Sequence, residues 1–120
     1  RGRKIADGVP YGPDVRHRLD VWVPADHKRD AEPLPVVVFF YGGGWHAGSR
    51  TDYGFVGAAL ASQGFVVVLP DYRLVPTVRY PEFLRDGALA LRWVVDFIGH
   101  YGGDATRIAV SGHSAGAYNA

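Results

Sequence analysis

No cysteine occurs among the 120 residues, and no methionine. The first absence excludes a disulfide framework, a thiolate nucleophile and a thiolate-bound metal, so zinc would depend on histidine and carboxylate alone. It leaves the redox compartment open. The second absence extends to position 1, so Arg1 is read as not the native start, and a removed leader stays compatible with the sequence. An excess of one charge is missing too, since thirteen Lys and Arg face twelve Asp and Glu for a net +1. That balance gives no electrostatic reason to expect nucleic acid or an anionic membrane as partner, and Arg1, Arg3 and Lys4 read as a solvated end. No apolar run approaches the roughly 20 residues of a membrane span, and the first residues lack the apolar core of a secretory signal. Internal repeats, low-complexity tracts and long linkers are absent as well.

What is present reads as one globular segment, 48% hydrophobic and 21% charged. So short a chain has room for one core, and the loss of a covering layer would weigh heavily on it. Leu19, Val21 and Val23 alternate with Asp20 and Trp22 ahead of Pro24, the period of a strand with unlike faces. Val36-Val37-Val38-Phe39-Phe40 is continuous and apolar, as is Phe65-Val66-Val67-Val68-Leu69, and each suits a strand buried on both faces of a parallel sheet. The 26–35 stretch, between the strand ending at Pro24 and the Val36 run, is a polar connection. Ser49, Thr51 or Asp52 can cap a helix running through Leu60, with Gly64 where a left-handed C-terminal residue belongs. A second helix is predicted from Pro81, its core stripe formed by Leu84, Ala88, Leu91, Val94 or Val95, and Ile98. Arg107-Ile108-Ala109-Val110-Ser111 reads as a third short buried strand. Alternation of strands and helices predicts an α/β fold, a mostly parallel sheet with right-handed crossovers and helices on both faces.

Two glycine-rich segments carry the candidate chemistry. Gly112-His113-Ser114-Ala115-Gly116 fits the G-x-S-x-G elbow, in which serine occupies a strained turn between strand and helix and its hydroxyl projects above the sheet. In a chain with sixteen glycines the bare pattern carries little weight, and Ser114 as a simple helix cap is the competing reading. The strand before it and the small residues after it supply the context that the elbow requires. Tyr41-Gly42-Gly43-Gly44-Trp45 follows a buried strand, where successive glycines can turn backbone N–H groups toward one point and stabilise a developing oxyanion. A flexible strand-end loop is the alternative. A phosphate cradle fits poorly, because neither a G-K-[ST] ending nor G-x-G-x-x-G spacing is present.

Taken with Arg16-His17-Arg18-Leu19-Asp20-Val21, Asp71-Tyr72-Arg73-Leu74, Phe83-Leu84-Arg85-Asp86 and the 103–116 stretch, these segments resemble the hormone-sensitive-lipase and carboxylesterase branch of the α/β hydrolases over nearly the whole chain. The resemblance implies that residues 1–120 are the N-terminal part of such a domain, with an oxyanion loop at 41–45 and a nucleophile elbow at 112–116. It implies Ser114 as nucleophile, and the N–H groups of Gly42, Gly43 and Ala115 as the oxyanion hole, with no metal or organic cofactor. Relatives of this kind usually carry His where this chain has Tyr41, a change that leaves the backbone donors intact. Asp71, Tyr72 and Arg73 are expected to brace the oxyanion loop, while Trp45 and Tyr53 either line a substrate pocket or serve as packing.

A serine nucleophile needs a base within hydrogen-bond reach and a carboxylate to orient that base, and in this fold both follow the serine. Here His17, His27, His46, His100 and His113 all precede Ser114, as do all twelve carboxylates. Neither His113, adjacent in sequence and aimed elsewhere, nor His46, beside the oxyanion loop, is read as the base. The expectation is therefore a truncated domain whose acid and histidine lie in the remaining C-terminal part, and whose 107–111 strand is left as a bare sheet edge. The function implied is hydrolysis of small carboxylic esters through an acyl-serine, with this piece inactive alone. A non-catalytic binding scaffold of the same fold, or an arylformamidase-like amide hydrolase, are the alternatives.

Overall fold

The computed structural model describes residues 2–14, 16–28, 31–40, 53–71 and 82–112, with side chains from 85 onward in the last stretch. Five strands form one sheet: β1 (Gly2–Pro10), β2 (Arg18–Pro24), β3 (Leu34–Phe40), β4 (Val66–Pro70) and β5 (Gly103–Gly112). Their spatial order is β1-β2-β4-β3-β5. β3, β4 and β5 run parallel, whereas β1 and β2 form an antiparallel hairpin whose second strand pairs antiparallel with β4. Helices α1 (Gly54–Ala61) and α2 (Glu82–Phe97) make the crossovers, and a 3₁₀ turn (Ile98–Tyr101) leads from α2 into β5.

The all-apolar runs behave as their composition requires. Val66, Val67, Val68 and Leu69 are fully buried in β4, and 36–40 of β3 are buried throughout. The two faces of β3 are covered by different helices. Val37 and Phe39 share a cleft with Phe55, Val56, Ala59 and Leu60 of α1. Val36 lies on the other face, where its side chain and that of Ile98 close around the Cα of Gly103. The α/β architecture with helices on both faces is thus the one that the sequence predicts.

Several local expectations are corrected. β2 is not half exposed, because Asp20 is as buried as Leu19, Val21 and Val23. Asp20 accepts the Gly8 N–H at 2.8 Å and faces the Lys4 ammonium at 3.3 Å. Both partners come from β1, a strand without apolar period that the sequence reading missed. Its irregular register, with shifts between Lys4 and Ala6 and between Ala6 and Val9, explains why no alternation was visible. α1 starts at Gly54, after Tyr53 and without a side-chain cap; the proposed caps Ser49, Thr51 and Asp52 lie outside the described residues. Gly64 does adopt the left-handed conformation, φ 99°. Of the expected stripe, Val94 and Ile98 are buried and Leu91 is half-buried against the core, whereas Ala88 is exposed and Ala90 and Trp93 are buried in addition; the Leu84 side chain lies outside the described residues. β5 spans ten residues rather than five and is no buried strand, since Arg107, Ala109, Val110 and Ser111 are exposed along the sheet edge.

Candidate active site

In a parallel sheet crossed by helices, ligands bind beyond the carboxyl ends of the strands, where the connecting loops converge. Here the register fixes which loops meet. Phe40, last residue of β3, pairs with Gly112, last residue of β5, and Val38 of β3 pairs with Val68 of β4. The chain therefore leaves β3 between Pro70 on one side and Gly112 on the other. The strands leading into the two glycine-rich segments, 41–45 and 112–116, end side by side although 66 residues lie between those segments in sequence. Ser114, Ala115, Gly42 and Gly43 themselves lie outside the described residues, as do Tyr41, Trp45, His46, Tyr72, Arg73 and His113.

The same edge carries a buried polar network built by the connection between β1 and β2. Asp14 and His17 close that turn, with the Asp14 carbonyl accepting the His17 N–H at 2.9 Å. The Asp14 N–H in turn donates to His17 Nδ1 at 3.0 Å. That nitrogen is thereby an acceptor, so the imidazole carries its proton on Nε2 and donates to Asp86 Oδ1 of α2 at 2.9 Å. His17 and Asp86 are 2% and 0% exposed, so the pair is shielded from water. Tyr11 tilts its ring over His17, centroids 5.1 Å apart, and its hydroxyl donates to the Asp71 carbonyl. Asp71 is the first residue past β4; its N–H donates to the Arg18 carbonyl at 2.8 Å, and its carboxylate lies 3.9 Å from the Arg16 guanidinium.

Of the residues singled out in the sequence, Asp71 is thus described at the strand ends, and Tyr53 is packed between Phe39 and Phe55 at ring distances of 6.1 and 6.0 Å. His27 and His100 border a cavity with Arg3 and Tyr101. Arg3 also donates to the Ala25 and His27 carbonyls beyond β2, placing that cavity at the opposite end of the sheet. Tyr11 and the pairing of His17 with Asp86 escaped sequence reasoning. His17 and Asp86 stood in stretches that carried the resemblance, but nothing local announced a contact across 69 residues. The Asp104 carboxyl is held at about 2 by hydrogen bonds from the Thr106 hydroxyl and N–H and from Arg107. It opens β5, far from the strand ends, and serves a turn. Among the described residues no three His, Asp or Glu side chains converge as a metal site requires, and no helix is long and apolar enough to cross a membrane.

The topology and the likeness to known esterases define an α/β hydrolase, in the hormone-sensitive-lipase and carboxylesterase branch. Within that class the chain belongs to the BD-FAE family, whose model matches residues 19–120. A probable isoprenylcysteine alpha-carbonyl methylesterase of Oryza sativa is 36% identical over 97% of this chain, which spans 27% of the relative's length. Esterase LipC of Mycobacterium tuberculosis is 40% identical over 92% of the chain, again 27% of its own length. Among solved structures, an inhibited esterase B from Lactobacillus rhamnosis superposes with a TM-score of 0.85 at 32% identity, covering 96% of this chain and 37% of that one. The chain therefore spans about a quarter of the curated relatives it matches.

Proposed function

We propose that the full-length protein hydrolyses small carboxylic esters, with Ser114 as nucleophile and the N–H groups of Gly42, Gly43 and Ala115 as oxyanion hole. The observation that supports this reading is the pairing of Phe40 with Gly112, the strand residues that lead into 41–45 and 113–116. Relatives named as esterases, at 36% and 40% identity, give it the substrate class. In the reaction the Ser114 hydroxyl adds to the ester carbonyl while its proton passes to a histidine base. Negative charge then collects on the carbonyl oxygen, within reach of the backbone donors. Collapse expels the alcohol, which takes the proton from the histidine, and water hydrolyses the acyl-serine by the same two steps.

The base and its carboxylate are supplied by residues beyond this sequence, and the 120-residue chain alone is inactive. His17 is unsuited to the role, because both its ring nitrogens are already engaged, with Asp14 and Asp86. The test is p-nitrophenyl acetate turnover by the full-length protein, its Ser114→Ala variant and the 120-residue chain. Full-length activity should fall by about 10³-fold or more with the serine removed, and the short chain should match the buffer rate. Turnover by the short chain that disappears with Ser114 would defeat the assignment of an external base. Full-length turnover that survives Ser114→Ala would defeat the nucleophile.

A further inference from the structure

One loop holds both ends of the 71–86 stretch. At its start, Asp71 is gripped by the Tyr11 hydroxyl on its carbonyl, by the Arg18 carbonyl on its N–H and by Arg16 near its carboxylate. Fifteen residues on, Asp86 takes the Nε2–H of His17 inside the core. Arg16, His17 and Arg18 are consecutive, and Tyr11 is tied to the same turn through its N–H on the His17 carbonyl at 2.9 Å. This turn therefore bridges the first residue beyond β4 and the first half of α2. Since the β3–β4 register sets Phe40 beside Pro70, the held residue Asp71 adjoins the point where the 41–45 loop departs.

We propose that the 11–18 loop is a clamp that positions the carboxyl edge of the sheet for ester hydrolysis, with His17 as its principal positioning residue. Its chemistry suits the task. A buried neutral imidazole, fixed in one tautomer by the Asp14 N–H, makes a directional, charge-assisted bond to the Asp86 carboxylate. Loss of that bond removes a directional donor from a buried carboxylate, which favours displacement of α2. The carboxyl end of β4, beside that of β3, then loses part of its hold, and misplacement on the order of 1 Å is enough to cost about 100-fold in rate.

The catalytic consequence rests on the ester-hydrolase reading; the clamp itself does not, and the test separates them. In the full-length protein, His17→Asn retains an acceptor for the Asp14 N–H but is too short to reach Asp86, whereas His17→Gln can still donate to Asp86. Tryptic cleavage after Arg73 and Arg79, between the two held residues in sequence, should accelerate about 10-fold in His17→Asn and stay within about 2-fold of wild type in His17→Gln. With p-nitrophenyl butyrate, well below each variant's unfolding midpoint, kcat should fall about 10- to 100-fold in His17→Asn at nearly constant KM. His17→Gln should recover to within about 3-fold. Unchanged cleavage in His17→Asn overturns the clamp. Faster cleavage with unchanged kcat, or equal losses in Asn and Gln, overturns the positioning role. A wild type without serine-dependent turnover defeats the ester reading, while faster cleavage rescued by Gln still supports the clamp. Should His17→Asn fail to fold, Tyr11→Phe decides: wild-type cleavage and turnover in that variant overturn the proposal.

Discussion

Asp104 illustrates how much a single side chain can be committed to local structure. Its carboxylate accepts the Thr106 N–H at 2.9 Å and hydroxyl at 2.6 Å, and pairs with Arg107 at 2.9 Å, while Arg107 also donates to the Pro33 carbonyl at 3.0 Å. These bonds favour the ionised form and hold its pKa at about 2, below the ordinary 3.8. A group whose folded pKa is depressed contributes stability that is present above the ordinary value and lost as pH falls through the folded one. The advantage of the wild type over Asp104→Asn should therefore be constant above pH 3.8 and shrink between there and about pH 2. Thermal unfolding of the two proteins across that range checks it, and a difference independent of pH would contradict it. The effect is modest, because the group is open to solvent.

At the scale of elements, the packing of α1 on β2 turns on one close approach. A Cβ built on Gly57 would stand 2.7 Å from Trp22 Cδ1 and 2.8 Å from its Nε1. The indole has little room to swing away, because it is half-buried and packed against the core. In an isolated helix Gly→Ala is favourable by close to 1 kcal/mol, yet here the overlap should win. Gly57→Ala is expected to destabilise the protein by about 1–3 kcal/mol, read as a lower denaturation midpoint with a quenched or shifted Trp emission. A stabilised variant would mean that α1 can slide on the sheet. The amphipathic α2 is held differently, by Ala90, Trp93, Val94 and Ile98 on one side and the His17 bond to Asp86 near its start.

For the molecule as a whole, the consequential feature is the edge at β5. Among the described residues this strand has a partner only in β3, and Arg107, Ala109, Val110 and Ser111 face solvent. Beside it, Val37, Phe39, Phe55, Phe65 and Ala109 line an apolar cleft. An open strand next to an apolar groove is a template for pairing with a second chain. Produced as 120 residues, the polypeptide is expected to self-associate, and Val110→Lys to reduce association by placing a charge on the edge. Sedimentation over a tenfold concentration range checks both, and a strictly monomeric wild-type chain would refute the argument.

How much of this was legible beforehand depends on how local the cause is. Continuous Val and Phe runs specified β3 and β4, a glycine at the left-handed position specified the end of α1, and alternation of elements specified an α/β sheet with helices on both faces. These follow from backbone sterics and burial period, which act over a few residues. The glycine-rich segments and the stretches around 16–21, 71–74 and 103–116 likewise pointed to the hydrolase class without coordinates. What only the tertiary structure decided was the insertion of β4 between β2 and β3, the capture of Asp20 by β1, and the grip of one loop on Asp71 and Asp86. That grip joins Asp71 and Asp86 to partners 60 and 69 positions away, Tyr11 and His17. Contacts of that span leave no period in the sequence, because they are selected by how whole elements stack rather than by the preferences of neighbouring residues.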